Sequence, residues 1–166
     1  EGELAGSGGI CIREHIVMHI ALPYYRWDWE HVLAHEFAHM ALAGLPLPLW
    51  LEEGVVQVIT NGLVPRAEDS RERLRRLTET RQYWRDGPLP DFWSGDAFSD
   101  VESQEHAYRL SEVLATTLLN DHPREFKRFF ATASYEDHGE SAAAETFGKS
   151  LNQLAAMFVG DRKPMS

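Results

Sequence analysis

Apolar and polar positions change their period along this chain. Residues 1–9 (EGELAGSGG) are small and polar, which predicts a flexible lead-in. In ICIREHIVMHIAL, the apolar residues Ile10, Ile12, Ile16, Met18 and Ile20 share one parity, interrupted at Glu14. A period of two with β-branched residues predicts strand, either one long run or a hairpin turning near Arg13-Glu14-His15. PYYRWD reads as a loop. Asp28 suits an N-cap with Glu30 in the first turn, so the spacing predicts a helix running to about Ala43 and stopping at Gly44. GLPLP connects it to LWLEEGVVQVIT, a second helix with Pro48 in its first turn and Asn61-Gly62 at its end.

Residues 66–84 predict a charged helix on which Leu74 and Leu77 mark a thin apolar stripe. Its arginines alternate with acids, which reads as a solvated face rather than a basic patch. Segment 86–100, DGPLPDFWSGDAFSD, reads as a loop, with its aromatics either packed or forming the wall or lid of a cleft. Three helices follow at about 103–120, 123–133 and 141–159, the last broken near Gly148. There is no internal repeat. The pattern predicts one α+β domain over residues 1–166, with a little β structure followed by many helices.

The length suffices for one domain with a real core. A net charge of −10, from 16 basic and 26 acidic residues, argues against nucleic acid or anionic lipid as the main partner. A single cysteine, Cys11, excludes a disulfide within the chain and a cysteine-rich zinc site. No apolar run reaches the length of a membrane span, and the opening Glu1-Gly2-Glu3 is not a signal peptide. The absence of an initiator Met suggests processing or a domain cut from a longer protein. Compartment and oligomeric state have no marker in the sequence.

Candidate chemistry sits in HVLAHEFAHM, where His35-Glu36-Phe37-Ala38-His39 forms an H-E-x-x-H pattern. On a helix, residues i and i+4 share a face, so both imidazoles can point at one Zn²⁺ ion. Glu36 lies about 100° further round, placed to take a proton from a water beside the metal. Catalytic zinc needs a third protein ligand and an open position. WLEEG offers it, because thirteen residues between His39 and Glu53 permit a turn and an antiparallel return. Neighbouring acids on a helix diverge, so Glu52 and Glu53 cannot both face the metal. Gly54 allows close helix approach beside the ion, which favours Glu53. His31 falls one turn before His35 and reads as a surface residue rather than a ligand. Gln57, one turn after Glu53, is a candidate partner of the ligand shell. His15, His19, His122 and His138 show no ligand spacing and read as solvent-facing.

HEFAHM followed by LPLWLEEGVVQVI resembles the gluzincin metallopeptidases, most closely the bacterial peptidase-MA-like group and more distantly the aminopeptidase N type. HAYRLSEVLATTLLND and TFGKSLNQL add a weaker resemblance to the group's helical tail. The resemblance spans about residues 10–160. It implies a zincin-like α+β fold with His35, His39 and Glu53 as zinc ligands and Glu36 as general base. Glu52 falls at a position that is not a ligand. The resemblance also implies Tyr108 as donor to the oxyanion, with His106 as a lesser alternative. In zincins an edge strand over the zinc helix can pair with an extended substrate, so the strand near 16–20 is either such an edge strand or a covered strand serving only the core.

The Gly-x-Met-Glu-Asn segment of the aminopeptidase type is absent, so exopeptidase activity is not supported; the spacing to the third ligand is also shorter than in that type. The expected function is a zinc-dependent metallopeptidase that cuts internal bonds of a peptide or protein. A non-catalytic zinc-binding or protein-interaction module and a zinc hydrolase of a non-peptide substrate are the alternatives.

Overall fold

The structure is a computed structural model and describes residues 9–12, 17–20, 29–67 and 69–160. The expected N-cap Asp28, the PYYRWD loop and His15 lie outside the described residues. Its contacts divide the chain into two compact units, Glu1–Leu45 with Val56–Arg66, and Pro46–Val55 with Ala67–Ser166.

In the first unit, strands β1 (Gly9–Ile12) and β2 (Val17–Ile20) pair antiparallel, with Gly9 opposite Ile20 and Ile12 opposite Val17. This register sets even positions of β1 against odd positions of β2, so the single-parity stripe in the sequence does not continue from one strand to the next. Helix α1 (Trp29–Leu42) approaches the hairpin, chiefly along β1. It ends as its sequence predicts, with Gly44 at φ +92°, a left-handed backbone that glycine adopts without strain. The second half of helix α2 (Leu49–Leu63) completes this unit. Asn61-Gly62 does not end α2 as expected, since the helix runs through both to Leu63.

The second unit takes the first half of α2, which begins after Pro48; the Pro48 carbonyl accepts from Leu51 and Glu52. Helix α3 (Ser70–Asp86) is capped by Asp69, whose side chain accepts from the Arg71 amide. It carries the expected solvated charge ladder, with Arg75 and Arg76 both on Glu72. Leu74 is exposed rather than part of an apolar stripe, and α3 buries Thr80 and Trp84 instead. Helix α4 (Leu89–Ser94) and a 3₁₀ turn (Asp96–Phe98) occupy the segment expected as a loop. Helices α5 (Gln104–Asp121), α6 (Pro123–Thr132), α7 (Glu140–Phe147) and α8 (Leu151–Val159) follow, and Gly148 at φ +63° separates the last two. Ser150 caps α8 with a reciprocal Ser–Gln box.

The core of this unit is aromatic. Trp50 packs against Phe92, Trp93 and Phe129 at centroid distances of 6.2, 5.3 and 6.0 Å. Each buried indole N–H finds an acceptor: Trp50 donates to the His138 carbonyl, Trp84 to the His106 carbonyl and Trp93 to Asn152 Oδ1. Phe92, Trp93 and Phe98 are core residues, so residues 86–100 are neither loop nor lid. The sequence misled there because Gly and Pro punctuate the segment closely. They start and stop two short helical pieces rather than breaking structure altogether.

The expected α+β class is overturned. Helices form the whole body, and the β structure among the described residues is one hairpin of four-residue strands. This two-stranded sheet is too small to form a layer against the helices, so the class is all-α.

Candidate metal centre

Helix α1 departs from the usual amphipathic arrangement. Its buried residues are His31, Glu36, Ala38 and Leu42, while Phe37 is 54% exposed. A helix that buries a histidine and a glutamate while exposing a phenylalanine is organised around polar chemistry. His35 and His39 stand one turn apart on it, their Nε2 atoms 3.2 Å apart and their rings edge to face.

On α2, Trp50 and Leu51 anchor the first turn in the core, and both acids that follow are buried, Glu52 at 3% and Glu53 at 7% exposure. They do not form the solvated acidic helix start that such a pair ordinarily makes. Gly54 lies against α5. A Cβ built there would stand 2.5 Å from the Ser111 carbonyl oxygen and 2.9 Å from Ala115 Cβ. The glycine therefore serves the packing of α2 on α5, where the sequence suggested an approach to α1.

His35, His39 and Glu53 each present a ligand atom, all within 4.8 Å of one another. Among the described residues this is the group of His, Cys, Asp and Glu side chains that could hold a metal ion. The donor set suits Zn²⁺. A tetrahedral ion with metal–nitrogen bonds of about 2.0–2.1 Å separates two such ligands by about 3.3 Å. The imidazole nitrogens stand at 3.2 Å. The widest separation, at most 4.8 Å, exceeds that spacing by at most about 1.5 Å.

Ligation also needs an unprotonated ring. The His35 pKa is lowered from 6.5 to about 4, first by burial and then by the neighbouring His39, His31 and Arg66 charges, in that order. Its lone pair is thus free of a proton at neutral pH. Glu36, next to His35 and about 100° round the helix, is buried at 6% exposure.

The remaining expected residues have the following surroundings. Tyr108, on α5, packs its ring edge-on against Phe98 at 5.3 Å. His106 lies between α3 and α5. It stacks on Tyr83 at 4.4 Å and its Nδ1 is 3.1 Å from Thr80 Oγ1; burial is the main cause of its lowered pKa. Gln57 is half-buried, and His122 and His138 are exposed as expected. His31 is not a surface residue. It is buried, and its Nε2–H donates to Asn61 Oδ1 at 3.1 Å. The signal for it was present: His31, His35 and His39 repeat every four residues on α1, as Glu53, Gln57 and Asn61 do on α2.

An open apolar groove of about 480 Å³ is lined by α1 residues including Leu33, Phe37 and Ala41 and by Ile59, Leu63 and Val64. Phe37 is about 200° round α1 from both His35 and His39, so the groove opens on the face away from the ligands. No helix among the described residues is long and apolar enough to cross a membrane. No family model, no curated protein and no solved structure matches the chain.

Proposed function

We propose that this chain is a zinc-dependent peptidase that cuts internal peptide bonds, of the gluzincin type its motifs resemble. The supporting observation is the convergence of His35, His39 and Glu53 within 4.8 Å, with Glu36 buried on the same helix as the two histidines. Two neutral imidazoles and one carboxylate leave a bound divalent zinc with a net positive charge and one open position. When bound, zinc would polarise the scissile carbonyl and bring the pKa of water in that position towards about 7.

The side chains of the protein divide the remaining work. His35 and His39 offer their Nε2 lone pairs and Glu53 one carboxylate oxygen. Glu36 accepts the proton of the attacking water on a carboxylate oxygen as the new C–O bond forms. It then returns that proton to the leaving amine nitrogen as the C–N bond breaks, so it ends the cycle ionised, as it began. Tyr108 is the proposed phenol donor to the oxyanion. The buried position of Glu36 shields this proton transfer from bulk water and sharpens its dependence on local geometry.

The test is metal content alongside hydrolysis of a broad peptide library. Wild type is expected to hold stoichiometric zinc and cleave. Glu36→Gln is expected to retain zinc and lose cleavage by about 10²- to 10⁴-fold, the scale of a general base. Zinc binding without cleavage by the wild type would instead favour the non-catalytic module.

A further inference from the structure

We infer that His31 and Asn61 form a positioning pair that sets the register of the two zinc-ligand helices, an assignment that rests on the metal centre proposed above. His31 is 7% exposed, and its Nε2–H donates to Asn61 Oδ1 at 3.1 Å, joining α1 to the last turn of α2. His31 precedes the ligand His39 by eight residues, and Asn61 follows the ligand Glu53 by eight. In an antiparallel pair of helices those two offsets describe one register. Wherever His39 meets Glu53, His31 meets Asn61 about 12 Å further along.

Apolar packing among the described residues does little to fix that register along α1. Its buried apolar residues are Ala38 and Leu42, a small and smooth surface. Apolar packing of that kind tolerates sliding, whereas a part-buried hydrogen bond is directional and costs stability when left unmade. A slip of one residue moves a side chain about 1.5 Å along the helix axis. Metal–ligand bonds tolerate about 0.2 Å. The pair therefore restricts α1 and α2 to the register in which three donors can reach one ion. The ring does not itself ligate, since its Nε2 is engaged by Asn61 and it lies outside the three-donor group.

The experiment titrates zinc sulfate into the metal-stripped full chain with a chromophoric chelator as competitor. His31→Leu and Asn61→Leu are each expected to weaken zinc binding about 10- to 100-fold while still reaching stoichiometric zinc at saturation. The double variant is expected to be no weaker than either single one, because both remove the same bond. Asn61→Asp, which still accepts from His31, is expected to restore near wild-type affinity. Val159→Ala, a buried change in α8, controls for general destabilisation and is expected to leave zinc affinity unchanged. Unchanged affinity in both leucine variants overturns the inference, as does an equal loss in Val159→Ala. Loss of stoichiometric zinc in His31→Leu alone also overturns it and makes His31 a ligand. A wild type that takes up no zinc overturns the metal centre itself, and is distinguished by appearing before any substitution is made.

Discussion

Replacing Gly54 by alanine sets two effects of opposite sign against each other. In a helix interior, alanine exceeds glycine by about 0.5–1 kcal/mol, because glycine loses more backbone freedom on folding. Against this, the added Cβ would lie 2.5 Å from the Ser111 carbonyl oxygen and 2.9 Å from Ala115 Cβ. Ordinary contacts start near 3.4 Å, and the obstacle is the main chain of α5, which cannot rotate away as a flexible side chain can. Overpacking of this kind costs about 1–3 kcal/mol, so the net expectation is a loss of about 1–2 kcal/mol.

For 166 residues, an unfolding entropy near 2.1 cal/mol/K per residue makes each kcal/mol worth about 3 °C, so Tm should fall by about 3–6 °C. Gly62, in the same helix, is exposed with nothing within 4 Å of its added Cβ. Gly62→Ala should therefore raise stability by about 0.4–1 kcal/mol. Thermal melts followed by far-UV circular dichroism compare the two variants. A rise in Tm for Gly54→Ala would refute the close packing of α2 on α5.

The adjacent buried acids should separate cleanly. Glu53→Ala should lose stoichiometric zinc in metal analysis, whereas Glu52→Ala should retain it. Phe92→Ala should destabilise the protein by about 3–5 kcal/mol in urea unfolding, the cost of emptying a fully buried aromatic site; a lid residue would instead change KM with stability nearly intact. In metal-free protein, the His35 pKa is depressed from 6.5 to about 4, so the unfolded chain takes up this proton first as pH falls. Stability attributable to His35 is therefore full above pH 6.5 and is lost as pH drops towards about 4. The total is about 3 kcal/mol at 1.36 kcal/mol per pH unit. Chelator-treated wild type and His35→Ala, unfolded in urea across that window, should show pH dependences that differ by this amount; parallel curves would count against the burial of the ring.

The candidate metal-ligand group was legible because its chemistry follows helical spacing. His35 and His39 one turn apart, and Glu53 after a short connector, needed only the period of a helix and an antiparallel return. The fold class was not legible. Alternation in residues 10–20 is a local signal, and nothing in it tells how many strands join a sheet. Residues 86–100 were misread because the burial of Phe92 and Trp93 comes from distant partners, Trp50 and Asn152, that no sequence window contains. His31 was misplaced for a similar reason. Its partner Asn61 lies thirty residues away and reads locally as a helix end. Gly54 was assigned to close helix contact correctly but to the wrong neighbour, since spacing reports that a side chain is missing and not what fills the room.

The indole rings give the molecule a built-in optical readout. Trp50, Trp84 and Trp93 are sequestered in the second unit, each bound to a carbonyl or amide oxygen, whereas Trp29 at the start of α1 is 43% exposed. Emission from the first three should be blue-shifted and sheltered from acrylamide, while Trp29 should be readily quenched. Intrinsic fluorescence can therefore follow melting of the aromatic core separately from events at the α1 end, without a label.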